Sequence, residues 1–334
     1  MNINDDGTVS FEENIDLKKD VFSKENRKTK RITLNEEIGT DYYGYFISNV
    51  DSHNYCVKIS KKEGIRDAMY KELINEEIAK MLDLRTISSK IFKYNDSTYG
   101  LISEDYRDKN YNIISGKDII LNYYEFLIDN DVSVEQDFIN KKLIVEDKYV
   151  RFNSLEFAKD ALKFFFDDIN IYHKDEFYNT IISKLEKRYL FSFLTMQNDF
   201  HAGNWEIFYS NTTAFISPLF DMEECFSNVF FVSDDNLAHY NNSMRYSKDE
   251  NLDLYGDFYK FYNSKDDIGR ENILSMIKLL NPLTIKTCIK SVESTKLVKV
   301  PKELEDNILD MYTKHYEKVL KTILVRENER GMKR

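Results

Sequence analysis

The stretch QNDFHAGNWEIF, Gln197 to Phe208, sets Asp199, His201 and Asn204 two and then three residues apart, directly ahead of an apolar run. The chain has only five histidines and one tryptophan, so rare residue types are concentrated on this segment. Upstream lies DEFYNTIISKLEKRYLFSFLTM, where Phe177, Ile181, Leu185 and Tyr189 recur every four residues; this spacing predicts a helix with Asp175 as its N-cap. Downstream, WEIFYS and AFISPLFD flank the turn SNTT, a pattern that predicts a β-hairpin. Its first strand begins just after Asn204 and its second ends on Asp221, which brings those two residues to one end, near Asp199. Two oxygen ligands at adjacent strand ends can hold a hard cation such as magnesium. A carboxylate five residues before the asparagine can orient or deprotonate an attacking hydroxyl.

Bulk properties exclude several classes of function. With 334 residues the chain can bury a sizeable core, as one large domain or two lobes. Its 42% hydrophobic and 31% charged content is that of a soluble globular protein. A net charge of -11 leaves no basic face to neutralise phosphates, so no direct nucleic-acid partner is expected. Cys56, Cys225 and Cys288 lie far apart with no CxxC spacing and read as reduced thiols of a cytoplasmic protein. The N-terminus lacks the apolar region of a signal peptide, and no apolar run is long enough to span a bilayer, so no membrane partner is expected.

Character changes along the chain. Residues 1–30 are polar and charged and read as a loosely held extension. Residues 31–105 read as a small strand-rich lobe: RITL, YYGYFISN and NYCVKIS, a helix over DAMYKELINEEIAKMLDL, then KIFKYND and STYGLISED. Residues 106–334 read as mainly helical, with only three prolines in the whole chain to interrupt long helices. Strands gathered at one end and helices at the other predict an α+β fold of two lobes, because a doubly wound sheet would alternate strand and helix throughout. In the helical lobe DALKFFFDDINIY and GDFYKFYNS read as core or as docking surface; stripes of this kind are more often core.

A lone D-x-x-x-x-N is common in loops. Its weight here comes from the order helix, D-x-H-x-x-N, strand, turn, strand, aspartate, and from matching parts elsewhere. Lys58 lies inside YCVKIS, where Val57 and Ile59 point one way and the lysine the other, onto the cleft face of a curved sheet. Glu72 and Glu76 stand one helical turn apart on the following helix, and either is placed to pair with Lys58. EEIGTDYYGYF supplies Gly39 and Gly44, a weak signal for a phosphate-cradling loop.

Together these segments resemble the HipA-like serine/threonine kinases, distant relatives of protein and lipid kinases. FLTMQNDFHAGNWEIF resembles that family's aliphatic helix followed by N-x-D-x-H-x-x-N, and SPLFDM its P-[LI]-[FY]-D metal-binding segment. KELINEEIAKMLDL resembles its helical signature and favours Glu72 over Glu76; YGLISEDYRD resembles the segment that links the lobes. The resemblance covers about residues 31–230 and implies a two-lobed fold, an ATP substrate and a magnesium cofactor. It implies Asp199 as catalytic base, with His201 an active-site residue near the nucleotide. Asn204 and Asp221 are then the magnesium ligands, and Lys58 the phosphate-binding lysine with Glu72 its partner. Glu104 and Tyr106 offer backbone groups to adenine, and Gly44 is the candidate of the phosphate loop. The acceptor is expected to be a hydroxyl of a protein substrate.

The chain departs from the family in places. Met222, Glu223 and Glu224 follow Asp221 where the family has a glycine, and Leu82-Asp83-Leu84 replaces leucine-glycine-leucine. The first thirty residues are too short and polar to supply the extra N-terminal subdomain of HipA toxins, so an antitoxin-type partner is possible but not indicated. Two other readings stay open: a small-molecule kinase resembling aminoglycoside and choline phosphotransferases, and a pseudokinase that binds without chemistry. Phe-Asp-Met-Glu at 220–223 is not far from the Ile-Asp-Trp-Glu of the former.

Overall fold

Tyr55, Val57 and Ile59 alternate along one strand and are buried with Val9, Phe92 and Ile102, and this cluster covers one face of a sheet. The computed structural model describes residues 2–10, 41–47, 54–94, 96–130, 154–227, 244–247 and 253–332. RITL and Gly39 lie outside them. Among the described residues the sheet has six strands: β1 (Asn2–Ile3), β2 (Val9–Ser10), β3 (Asp41–Ile47), β4 (Asn54–Glu63), β5 (Ser89–Lys93) and β6 (Thr98–Glu104). They run β1-β2-β5-β6-β4-β3 across it. All neighbours are antiparallel except β2 and β5, which pair through Val9 and Phe92. Between β4 and β5 the chain forms α1 (Asp67–Met81), which buries Leu73, Ile74, Ile78 and Ala79 completely.

Residues 2–10 are built into this lobe, which differs from the loose extension expected of 1–30. Asp6 closes their turn by accepting from the Thr8 hydroxyl at 2.6 Å, and β2 then extends the sheet edge. Gly7 makes a close approach to the other lobe: at φ 79° it packs so tightly that a Cβ there would stand 2.1 Å from the Leu297 carbonyl oxygen. Burying Val9 on Phe92 is what polar composition alone did not foretell.

After β6 the chain crosses to the second lobe. A third, short strand precedes the predicted hairpin: β7 (Asn112–Ser115) pairs with β8 (Glu206–Tyr209), which pairs with β9 (Ala214–Ile216). The second hairpin strand therefore ends at Ile216, and residues 217–221 continue as a non-strand segment toward the cleft. The helices are α2 (Gly116–Asp129), α3 (Leu155–Asp168), α4 (Lys174–Leu194), α5 (Leu254–Asn263), α6 (Asp267–Leu279), α7 (Pro282–Thr295) and α8 (Lys302–Met332). Phe165 and Phe166 on α3 and Phe258, Phe261 and Tyr262 on α5 are buried, so both aromatic stripes are mainly core. The cap of α4 differs from expectation: His173, in the left-handed conformation at φ 58°, is the N-cap, and Asp175 lies in the first turn with its carboxylate on Lys163 at 3.2 Å.

Candidate active site

Two segments meet at the foot of the cleft, and backbone hydrogen bonds fasten them. The loop leaving α4 donates Asn198 N–H to the Glu224 carbonyl at 3.0 Å; the segment beyond β9 returns Phe226 N–H to Thr195 at 2.8 Å and Ser227 N–H to Met196 at 3.2 Å. The side chain of Gln197 adds a bond to the Asp221 carbonyl at 3.0 Å. Trp205, wholly buried, anchors the far end of the loop. Its carbonyl accepts Gly116 N–H at 2.9 Å, and its ring lies where a Cβ on Gly116 would be, 2.2 Å away. Between these fixings the backbone can hold Asp199, His201 and Asn204 in one place.

Lys58 reaches this site from the opposite lobe. Its position on β4 is opposite Leu101 of β6, and β6 runs so close that a Cβ at Gly100 would stand 2.3 Å from the Lys58 carbonyl oxygen. Val57 and Ile59 fill the sheet core, so the lysine emerges on the cleft face and its ammonium lies 3.0 Å from Asp221 Oδ1. The same ammonium donates to Glu223 Oε1. Burial is the largest influence on Asp221 and would raise its carboxyl, but the charge and hydrogen bond of Lys58, helped by His201, hold it below the usual range.

The two glutamates of α1 have separate partners. Glu72 accepts the Met222 backbone N–H, and Asn75 donates to the Met222 carbonyl at 3.4 Å, so α1 grips the residue between Asp221 and Glu223. Glu76 faces elsewhere: it pairs with Lys296 at 3.0 Å and accepts Ser89 N–H at 2.6 Å. Glu72 is thus the glutamate directed to the site, but its hydrogen bond runs to the Met222 backbone, and the ion pairs of Lys58 run to Asp221 and Glu223. Burial raises Glu72 well above the carboxylate range, and nearby Glu76 and Asp221 add to the effect.

Asp199 and Asn204 differ in what surrounds them. The Asp199 carboxylate is partly open to solvent and lies 3.7 Å from His201 Nε2. Desolvation of its inner side raises it to about 7; Asp221, Glu224 and Glu223 push the same way and Lys58 opposes them. His201 turns its Nδ1 to accept Gly203 N–H at 2.9 Å, which shapes the short turn Ala202–Asn204. Asn204 is 1% exposed, and neither its Oδ1 nor its Nδ2 has a hydrogen-bond partner. A buried amide without partners is costly unless a ligand satisfies it. An orphaned amide oxygen on the loop that also carries Asp199 fits a hard cation.

The nucleotide-binding candidates fall in different settings. Glu104 ends β6 opposite Tyr55, and Tyr106 follows on the connection between the lobes. The Tyr106 hydroxyl donates to Glu206 at 2.9 Å, and its ring stacks on Phe220 with centroids 5.7 Å apart. The connection therefore touches the residue before Asp221. Gly44 lies within β3 opposite Val57, not in a loop; the expectation of a phosphate-loop glycine there is corrected by the strand pairing that includes it. Three residues beyond those expected complete the framework: Gln197, Glu223 and Arg188. Arg188 is buried on α4, donates to the Ser217 carbonyl and falls to about 9 through desolvation. Sequence offered no sign of Arg188, because its partner is a backbone carbonyl on another element.

The two-lobed fold has counterparts among solved structures. The Helicobacter pylori proinflammatory kinase CtkA superposes with a TM-score of 0.55 at 14% identity, over 88% of this chain and 94% of that one. The fold is that of the HipA-like kinases. A chain of the Shewanella oneidensis MR-1 HipA, HipB and operator DNA complex also matches with a TM-score of 0.55, at 13% identity over 92% of this chain and 70% of that chain. No family model matches the chain, nor does any curated protein. At these identities the shared property is the HipA-like fold. The site described above is read from this chain's own residues.

Proposed function

We propose that this chain is an ATP-dependent phosphotransferase, and within that class a serine/threonine protein kinase. The observation that carries the reading is the meeting of Lys58 with Asp221 across the cleft; the unpartnered Asn204 amide and the raised carboxyl of Asp199 support it. Phosphoryl transfer depends mainly on positioning and on charge aimed at the phosphates. Lys58 supplies a cation to the ATP phosphates, and the backbone at Glu104 and Tyr106 offers groups to adenine. Asn204 and Asp221 are the residues that would hold magnesium, which when bound neutralises charge on the phosphates. Asp199 accepts the proton of the acceptor hydroxyl as its oxygen bonds to the γ-phosphorus and the bond to ADP breaks. His201 shapes the loop that presents Asp199.

Lys58 lies 3.0 Å from Asp221, and its three donors let it keep a carboxylate contact while it meets a phosphate oxygen. The test is incubation with γ-labelled ATP and magnesium, followed by separation of labelled protein from labelled small molecules. Label on serine or threonine of a protein supports the reading. Label on an aminoglycoside or choline moves the acceptor to the small-molecule class, and failure to bind ATP at all overturns the reading.

A further inference from the structure

The link between α1 and Lys58 runs through Met222 and Glu223. Asp221 adopts a left-handed conformation at φ 60°, and the chain continues as Met222-Glu223. Met222 is completely buried, while the carboxylates of the residues on either side both reach the Lys58 ammonium. The left-handed bend at Asp221 and the turn that begins at Glu223 leave both carboxylates on Lys58 and Met222 in the core. Glu72 and Asn75 grip the Met222 backbone from α1. The helix therefore bears on Lys58 at one remove, through Met222 to Glu223.

We propose that Glu223 is the positioning residue for Lys58, and that Glu72 acts only by holding the backbone that presents Glu223. This rests on the phosphotransferase reading given above. The chemistry explains why a second carboxylate is useful. Asp221 has two tasks, because the carboxylate now bonded to Lys58 is also the one suited to a cation. As Asp221 turns to a metal, its hold on the ammonium weakens. Glu223, 15% exposed at its side chain and two residues on, then keeps Lys58 at the cleft floor, where a triphosphate can meet it. An ammonium has three donors, so contact with Glu223 is compatible with contact to a phosphate oxygen.

The test is titration with ATP at a low and at a saturating magnesium concentration, with steady-state transfer measured alongside, on the full chain. The variants are Lys58→Met, Glu223→Gln, Glu72→Gln and the double variant Lys58→Met/Glu223→Gln. Glu223→Gln should weaken ATP binding by about tenfold or more, the scale of a lost charged hydrogen bond. The effect should appear chiefly in KM for ATP, with kcat changed less and the ligand-free melting temperature nearly constant. In the double variant Glu223→Gln should add little to Lys58→Met, because the lysine it positions is gone. Glu72→Gln keeps an oxygen for Met222 N–H and should lose much less affinity than Glu223→Gln. If Glu223→Gln does not fold, Glu223→Asp keeps the charge on a shorter stem and should give an intermediate KM. The proposal is overturned if Glu223→Gln binds ATP like the parent while Glu72→Gln matches Lys58→Met. It is also overturned if extra magnesium restores Glu223→Gln, since Glu223 would then be a metal ligand. A parent that binds no ATP overturns this proposal together with the reading beneath it, whereas parental binding with an unaffected Glu223→Gln overturns this proposal alone.

Discussion

The loop leaving α4 and the segment beyond β9 each bring an aspartate to the cleft floor, and the two aspartates are set in opposite ways. Asp221 has the ammonium of Lys58 at 3.0 Å and the influence of His201, and its carboxyl is held low. Asp199 is desolvated on its inner side, faces Asp221, Glu224 and Glu223, and rises to about 7. Carboxylates whose surroundings push their proton affinities apart can divide acid–base work between them. The one held charged at every physiological pH suits a cation. The one poised near neutrality suits proton transfer, where efficiency is greatest when the pKa lies near the operating pH.

The largest expected effect comes from removing the carboxylate that Lys58 holds below the usual range. Asp221→Asn should lose both phosphate transfer and the magnesium-dependent rise in melting temperature with ATP. Thermal melts with ATP, with and without magnesium, check this; an Asp221→Asn protein that keeps the magnesium-dependent rise would break the contrast. Asp199→Asn should be milder for binding and severe for rate. It keeps the shape and removes the base, so Mg-ATP should still raise the melting temperature while transfer slows by ~10²–10⁴-fold. Loss of nucleotide binding in this variant would show that the two roles are exchanged.

A base must be deprotonated to act, and Asp199 is raised to about 7. The kcat/KM should therefore climb with pH up to about 7 and level off above it, falling roughly tenfold for each unit on the acid side. In Asp199→Asn the residual rate should lack this limb. An identical limb in both proteins would assign it to another group.

The smallest effect concerns Asn204, where function and stability should separate. Asn204→Ala removes two buried polar atoms that have no partner. Ligand-free stability should then change by no more than about 1 kcal/mol, because the relief of unmet hydrogen bonding offsets lost packing. The magnesium-dependent ATP shift should shrink, though less than in Asp221→Asn, since a neutral ligand contributes less than a carboxylate. Denaturant unfolding and nucleotide melts on the same preparation measure both halves.

Much of this contrast could be read in the sequence because it depends on local rules. Lys58 declared its side of the sheet through its apolar neighbours Val57 and Ile59, and the loop after α4 through rare residues at the end of a regular helix. What could not be read depends on distant partners. The strand β7 is four residues long and owes its existence to β8, nearly a hundred residues away. The N-terminal hairpin is held by Phe92 and by the backbone at Leu297. The choice of Glu223 over Glu72 as ion-pair partner of Lys58 turns on which carboxylate the Met222 backbone captures. Gly44 shows the opposite error, a residue type taken as a loop signal inside a seven-residue strand.

The central claim is that the cleft sets its two aspartates apart in proton affinity. Carboxyl carbon NMR of the ligand-free protein, with Asp199→Asn and Asp221→Asn used to assign the two resonances, measures that directly. Asp199 should titrate near 7, and Asp221 should remain charged to below the ordinary aspartate value of 3.8. Two ordinary titrations, or a low Asp199 with a high Asp221, would contradict the account.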